Sequence, residues 1–189
     1  MPLYAFKEEL LLGAFVYFIP DGVTVDAGTV AIDSLPDDTP ATNWTDKAIG
    51  CIERVKINKQ TKSSPRSCPR ETGGYDDTPR LITTGWVIEM TTSEYNELIH
   101  RLQLGAAAAI TDGTAFTPFQ IGGDDKIAGW LRIEAKDETG VTKINIIDWV
   151  ELRLTEIPEW SNEYGKPVLQ FTVKGDNNGG LSTCVVNES

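Results

Sequence analysis

The side chains of the segment "LITTGWVIEM", residues 81–90, follow a pattern with a period of two. One phase of the repeat contains Ile82, Thr84, Trp86, Ile88 and Met90. A period of two places alternate side chains on opposite faces of a β-strand, and this segment is rich in β-branched and aromatic residues. It therefore predicts a half-buried strand with this phase facing a core.

Six further segments have strand-like alternation and are separated by clusters of Pro, Gly, Asn and Asp, which favour turns. They are "GAFVYFIP" (13–20), "TVAID" (29–33), "GCIERVKIN" (50–58), "IAGWLRIEA" (127–135), "TKINIIDWVELRLTEI" (142–157) and "VLQFTVK" (168–174). The sequence thus predicts at least seven strands.

One helix is indicated by "TTSEYNELIHRLQLG", residues 91–105. A Thr or Ser cap precedes Glu94 and Glu97, and Gly105 offers a stop. Apolar residues recur at helical spacing, at Tyr95, Leu98, Ile99 and Leu102. Because strands and helices do not alternate, we expect a mainly β fold, an antiparallel sandwich or barrel with one packed helix.

The chain has 189 residues, 40% of them hydrophobic, which suits one domain with one core. We expect this domain to span residues 1–175 and to carry a long, polar hairpin arm at 59–80. Residues 176–189 are expected to form a flexible tail, in which "CVV" (184–186) could add an edge strand.

Few residues suggest chemistry. The single histidine, His100, lacks a local nucleophile or acid, and Cys51, Cys68 and Cys184 form neither a disulfide framework nor a zinc motif. Adjacent acidic residues occur at 37–38, 76–77, 124–125 and 137–138, and this pattern favours solvated turns. We therefore expect no catalytic site, no metal and no cofactor. The open alternative is a carboxylate-dependent hydrolase whose cleft is lined by tryptophans, namely Trp130, Trp149 or Trp160.

The net charge of -11 repels nucleic acid and anionic membranes unless a local patch overrides it. The most apolar run, Leu10–Ile19, is shorter than the roughly 20 residues that a membrane helix needs. The acidic residues before it do not suit a signal peptide. We expect a cytoplasmic product without membrane contact.

Charge is concentrated in two blocks. Six acids and no base lie between residues 21 and 46, at Asp21, Asp26, Asp33, Asp37, Asp38 and Asp46. Six bases and no acid lie between residues 54 and 70, at Arg54, Lys56, Lys59, Lys62, Arg66 and Arg70. Both blocks could be solvated faces. The alternative is that the basic arm of one subunit meets the acidic patch of the next, in a head-to-tail contact. Nucleic-acid binding by the arm is the weaker reading, because Tyr75 is its sole aromatic residue.

The order of these segments resembles the tail tube (major tail) proteins of long-tailed bacteriophages. The resemblance rests on Trp44 and the step from Ala48 to Gly50 before a strand, then a long arm containing "CP…GGY", then the return strand 81–90 and one helix. It covers roughly residues 12–175 and is one of pattern rather than of a single motif.

The resemblance implies a structural virion protein and not an enzyme. Such subunits form stacked, hexameric rings that make the tube through which DNA passes without specific binding. Implied partners are further copies of the chain and other tail proteins such as the tape measure, terminator and baseplate proteins. The implied location is the virion tail, with assembly in the host cytoplasm. A terminator, baseplate or decoration protein of such a particle is the alternative within this class. The strands around 50–58 and 81–90 would supply the sheet that faces the lumen of the tube. Arg54 and Lys56 share a phase, so they would put positive charge on one face of that sheet.

Overall fold

The computed structural model describes the parts of the chain that form the sheet, the helix and most of the arm. The described residues are 11–25, 28–36, 44, 46–69, 75–94, 96–104, 126–137, 139–140, 142–156, 165–174 and 183–186.

The secondary structure of these residues is mainly β, as predicted. In chain order the elements are β1 (Leu11–Pro20), β2 (Thr24–Val25), β3 (Gly28–Thr29), β4 (Ile52–Pro69), β5 (Tyr75–Thr92), α1 (Glu97–Leu104), β6 (Lys126–Asp137), β7 (Thr142–Glu156), β8 (Val168–Val173) and β9 (Thr183–Val186).

Seven strands form one antiparallel sheet. Its order is β1-β6-β7-β8-β5-β4, and β9 pairs with β7 beside β8. β9 includes the "CVV" segment, so the edge strand that the sequence allowed is present, at Ile144–Ile147 of β7. β2 and β3 form a separate two-stranded ribbon.

The two edges of the sheet meet through the residues that precede β4. The Phe18 amide donates to the Lys47 carbonyl at 3.0 Å, and the Ile49 amide donates to the Val16 carbonyl at 2.9 Å. Tyr17 and Ala48 form an antiparallel bridge between them. The segment that pairs with β1 therefore continues into the strand that pairs with β5. This closure makes the sheet a six-stranded barrel.

The main core lies inside this closed sheet and uses one phase of every long strand. Its buried members include Val16 and Phe18 of β1, Leu131 and Ile133 of β6, Val150 and Leu152 of β7, Leu169 and Phe171 of β8, and Ile88 and Met90 of β5. Burying one such side chain stabilises the fold by about 1.5–3 kcal/mol. A one-residue slip of any strand would expose its set, so the pattern fixes the register.

Helix α1 adds Ile99 and Leu102 to the same core, as its apolar spacing predicts. Its start differs from the prediction, because Thr92 is the last residue of β5 and donates through its hydroxyl to the Cys51 carbonyl at 3.1 Å. The cap is Asn96, whose side-chain oxygen accepts from the Ile99 amide at 3.1 Å. The side-chain amide of Asn96 also donates to the Ile49 carbonyl at 2.6 Å. This bond connects the helix to residues 47–49, the closing segment, which pairs with β1.

A second apolar cluster covers the outer face of β1, β6 and β7. Trp130 and Trp149 are 5% and 6% exposed, and their rings meet edge to face at 5.5 Å. Trp44 and Val30 complete this cluster, and the Trp130 indole donates to the Ala31 carbonyl at 2.9 Å. Trp130 and Trp149 are therefore core residues and do not line an open cleft. Trp160, the third tryptophan of the hydrolase alternative, lies outside the described residues.

Three predicted strands have different lengths in the structure. "TVAID" contributes only the end of β3 and an isolated bridge from Ala31 to Ser34, because this segment folds over the tryptophan cluster. By contrast, the strands predicted at 50–58 and 81–90 continue into the arm as β4 and β5.

Gly129 provides a test of the packing between β1 and β6. A Cβ at this position would overlap the Ile19 carbonyl oxygen and approach Cζ of Phe18 to 2.9 Å. We expect Gly129→Ala to lower the free energy of unfolding by about 3 kcal/mol in urea denaturation, because paired backbone must move. Gly85→Ala is the control, since its Cβ would meet only the Gln60 side chain at 3.9 Å. Equal losses in the two variants would contradict this packing.

Asn96 provides a test of the helix cap. Asn96→Ala removes both of its hydrogen bonds, and we expect a loss of about 2 kcal/mol in the free energy of unfolding. Asn96→Asp retains the oxygen that accepts from Ile99 and loses the donor to Ile49. It should therefore cost less than the alanine variant in the same measurement. An aspartate variant as unstable as the alanine variant would show that repulsion between its carboxylate and the Ile49 carbonyl outweighs the bond from the Ile99 amide.

Candidate assembly interface

The candidate interface is built on a long two-stranded ribbon formed by β4 and β5. The strands pair from Ile52 opposite Thr92 to Pro69 opposite Tyr75. β8 supports β5 only between Val87 and Thr91. Beyond Lys59 and Trp86 no other strand in the described part of the chain pairs with the ribbon. From there it extends by roughly 35 Å at the usual rise per residue.

The ribbon is more regular than the polar arm that the sequence predicts at 59–80. Its ladder continues up to Pro69 and Tyr75 with two register shifts. One lies between Ile52 and Arg54, and the other lies between Gln60 and Thr61, where Thr84 has no partner. Because of this bulge, positions 82 and 86 lie on opposite faces of the ribbon, although a strict period of two would place them on the same face. The simple alternation expected across this segment therefore holds only from Trp86 onward.

Two prolines oppose each other in the ladder, Pro65 and Pro79. Proline has no backbone N–H to donate, so two opposed prolines fit only a non-hydrogen-bonded pair of an antiparallel ladder. The amide positions of such a pair point toward the two outer edges of the ribbon. Each proline thus removes a donor from an open edge, which limits uncontrolled pairing with other strands.

The basic residues of the predicted interface lie along this ribbon. Arg54, Lys56, Lys59 and Lys62 are exposed, and Arg54, Lys56 and Lys62 form no ion pair with another described residue. Positions 54, 56, 62 and 66 share one phase of β4, whereas Lys59 occupies the other. The side chain of Arg66 and the whole of Arg70 lie outside the description.

The return strand, β5, places acidic residues across from parts of the basic strand β4. The order of residues along the chain does not show this pairing. Glu89 lies opposite Lys56, and Asp76 and Asp77 lie opposite Cys68 and Ser67. The acids therefore occur at the two ends of the ribbon. Its central section, residues 57–66 paired with 78–88, contains four bases and no acid, namely Lys59, Lys62, Arg66 and Arg80.

An exposed apolar patch lies at the root of the ribbon. Trp86 is 44% exposed and Ile57 is 47% exposed, although both are in the phase of β4 and β5 that faces the core further along. Trp86 lies just past the residues of β5 that pair with β8, whereas Ile57 lies on β4, the outer strand of this pair, opposite the buried Ile88. The Lys59 ammonium lies 5.9 Å from the centre of the Trp86 ring. The sequence pattern assigned Trp86 to the buried face and did not predict this patch.

The acidic residues of the predicted interface lie after β1. Asp21, Asp33 and Asp46 are exposed, and Asp26, Asp37 and Asp38 lie outside the described residues. Asp46 borders a groove of about 280 Å³ between the closing segment and helix α1, which is also lined by Lys47 and Arg101. The structure therefore places the three described acids near the end of β1 and the start of β4.

The topology separates the two charged segments. Neighbouring strands alternate in direction from β1 through β6, β7 and β8 to β5, so β1 and β5 run the same way. The ribbon precedes the part of β5 that lies in the sheet, whereas the acidic segment follows the end of β1. The basic ribbon and the acidic segment therefore leave the barrel in opposite directions.

Among the described residues, no group of three or more His, Cys, Asp or Glu side chains could hold a metal ion. His100 is half-buried in α1, and its amide donates to the Asn96 carbonyl at 3.1 Å. Within the same part of the chain, no helix has the length and apolar character needed to cross a membrane.

Comparisons with known proteins give a weak structural likeness. No protein-family model and no curated protein matches the chain. Among solved structures, the chain is similar to the anti-feeding prophage cap, described as the AFP tube terminating cap, determined by cryo-EM. The match covers 99% of this chain and 100% of the cap, at 10% identity and a TM-score of 0.42. A likeness at this level carries no argument about function.

The opposed prolines make a testable prediction about the ribbon edges. Replacing both Pro65 and Pro79 with Thr restores one donor on each open edge. We expect this variant to form irregular aggregates at concentrations where the parent chain is monodisperse by light scattering. Ser64→Thr, which adds no backbone donor, is the control. Equal solubility of the double variant and the control would contradict the role of the prolines as edge blocks.

Proposed function

We propose that the chain is a structural component of a bacteriophage-type tail, and specifically a subunit whose copies assemble head to tail into stacked, hexameric rings of the tail tube. The ribbon of β4 and β5 is the observation that carries this proposal. The chain acts by assembling, and no catalytic reaction is part of its role.

The ribbon supports assembly because it is costly for a monomer to maintain. A two-stranded hairpin is at best marginally stable in water, and it gains stability when it packs on another surface. Among the residues that the structure describes, neither edge is paired with another strand beyond Trp86, and open edges favour pairing with other strands. A long ribbon with basic residues at its centre is therefore suited to lie on another subunit.

The opposite directions of the two charged segments favour a polymer over a closed dimer. A contact between unlike surfaces of identical subunits is heterologous, and it repeats as a ring, a stack or a filament. A basic ribbon that leaves one end of the barrel can meet an acidic segment at the far end of the next copy. Complementary charge of this kind sets the orientation and speeds the encounter.

The net charge of -11 suits a tube that conducts DNA. A net negative subunit repels phosphates overall, so the genome would pass without specific binding. In this proposal the partners are other copies of the chain together with tape measure, terminator and baseplate proteins. The chain would be located in the virion tail after assembly in the host cytoplasm.

Replacing the arm tests the proposal. A variant in which residues 61–84 are exchanged for Asn-Gly keeps the Lys59–Trp86 and Gln60–Gly85 pairs and closes the hairpin with a favoured two-residue turn. We expect its circular dichroism and melting temperature to match the parent, because the barrel core is untouched. We expect it to stay monomeric in light scattering at concentrations where the parent assembles.

The control variant is Thr61→Ser with Thr83→Ser, which keeps the length and pairing of the ribbon. It should assemble like the parent. Assembly of the arm-exchanged variant into the same particles would refute the role of the ribbon. Closed single rings of the parent that never stack would instead favour the terminator alternative over the tube.

A further inference from the structure

Two exposed apolar sites have opposite electrostatic surroundings. Four large apolar side chains among the described residues are strongly exposed, namely Phe15, Leu35, Ile57 and Trp86. Ile57 and Trp86 occupy diagonal positions on one face of the ladder, with Lys59 directly opposite Trp86. This site, Ile57, Lys59 and Trp86, is here called the ribbon-root site, and it belongs to the basic central section of the ribbon.

Leu35 is the exposed apolar residue of the acidic segment. It is 53% exposed and lies two residues from Asp33, which is also exposed. The turn that carries it is well anchored. The Ser34 amide donates to the Ala31 carbonyl at 3.0 Å, and the buried Trp130 indole donates to the same carbonyl at 2.9 Å. A side chain held on an anchored turn loses little conformational entropy when it binds.

We propose that Leu35 and Asp33 of one copy dock on the ribbon-root site of a second copy, Leu35 against Ile57 and Trp86 and Asp33 against Lys59. This inference rests on the proposed function and names the residues of its head-to-tail contact. The occupant is a second copy because the two sites are complementary in apolar character and in charge. They also belong to segments that leave the barrel in opposite directions, so successive copies can repeat the contact.

The contact has the composition of an interface centre. Exposed tryptophan is among the residues most often responsible for binding energy, particularly when surrounding contacts exclude water. Docking Leu35 on Trp86 would bury both side chains, and the Asp33 carboxylate would add a partner for the Lys59 ammonium. Phe15 offers a natural comparison. It is 51% exposed, but the Lys136 ammonium lies 4.8 Å from its ring centre and Lys136 also pairs with Glu134.

Truncation variants of the full chain test the contact. We expect Leu35→Ala and Trp86→Ala each to raise the protein concentration needed for assembly by at least about tenfold in sedimentation. Phe15→Ala, the matched control, should change it by less than about twofold. The melting temperatures of the three monomers should be similar, because all three side chains are exposed.

Charge reversal tests the polar half of the contact. Asp33→Lys and Lys59→Asp should each weaken assembly, because each places like charges together. The chain that carries both substitutions restores an opposite pair and should regain most of the lost assembly. A double variant no better than the worse single variant would overturn the pairing of these two residues.

Cross-linking tests the geometry without altering the docking side chains. The three native cysteines are first replaced by serine, in Cys51→Ser, Cys68→Ser and Cys184→Ser. Two new cysteines are then placed beside the two sites, in Ser34→Cys and Thr61→Cys, and the protein is treated with a short bis-maleimide. With both cysteines in one chain we expect a ladder of oligomers on a denaturing gel. An equal mixture of the two single-cysteine chains should give dimers only.

The outcomes separate this inference from the proposed function. A parent chain that never assembles under any of these conditions refutes both. A parent that assembles, with Leu35→Ala and Trp86→Ala assembling equally well and no ladder formed, refutes the docking contact and leaves the function standing.

Discussion

The antiparallel ladder between β4 and β5 is the constraint on which the rest of the structure depends. At its inner end it places Ile88 and Met90 in the core and brings the segment before β4 back to β1, which closes the barrel. At its outer end it continues beyond the residues that β8 pairs with and becomes the arm. One set of backbone hydrogen bonds thus connects the stability of the domain to the shape of its proposed assembly surface. The change from supported to unsupported ladder occurs at Trp86, and this explains why a residue in a core phase is exposed there.

Strand periodicity predicted the antiparallel β fold well, although it left a sandwich and a barrel open, because burial of one face fixes both the position and the register of a strand. β1, β6, β7 and β8 lie within a few residues of their predicted limits. The main errors occur where tertiary contacts override the local pattern. "TVAID" alternates like a strand, but Val30 is buried in the tryptophan cluster and the segment does not extend the sheet. The helix begins later than expected because Thr92 remains in β5, which leaves Asn96 as the cap.

The candidate interface could be predicted only in part. The basic and acidic blocks are evident in the sequence, and the exposed positions of Arg54, Lys59 and Asp33 agree with surface charge. Pairing across the ribbon is a long-range property, so the acids that face the basic strand at its two ends were not foreseen. Nor was the apolar site at the ribbon root, because period-two reasoning assigns a face to Trp86 but does not show where β8 stops covering it. The opposite exits of the two charged segments follow from strand order, which no local pattern contains.

Electron microscopy of the purified chain would show whether identical copies of this fold assemble by a head-to-tail contact. The chain would be concentrated at low and at moderate salt, with its mass followed by light scattering. The account predicts stacked rings or tubes with a polar repeat and a symmetry of about six subunits, which weaken as salt screens the charged contact. A chain that remains a monomer at every concentration and salt, even when tail-initiating partners are added, would contradict it.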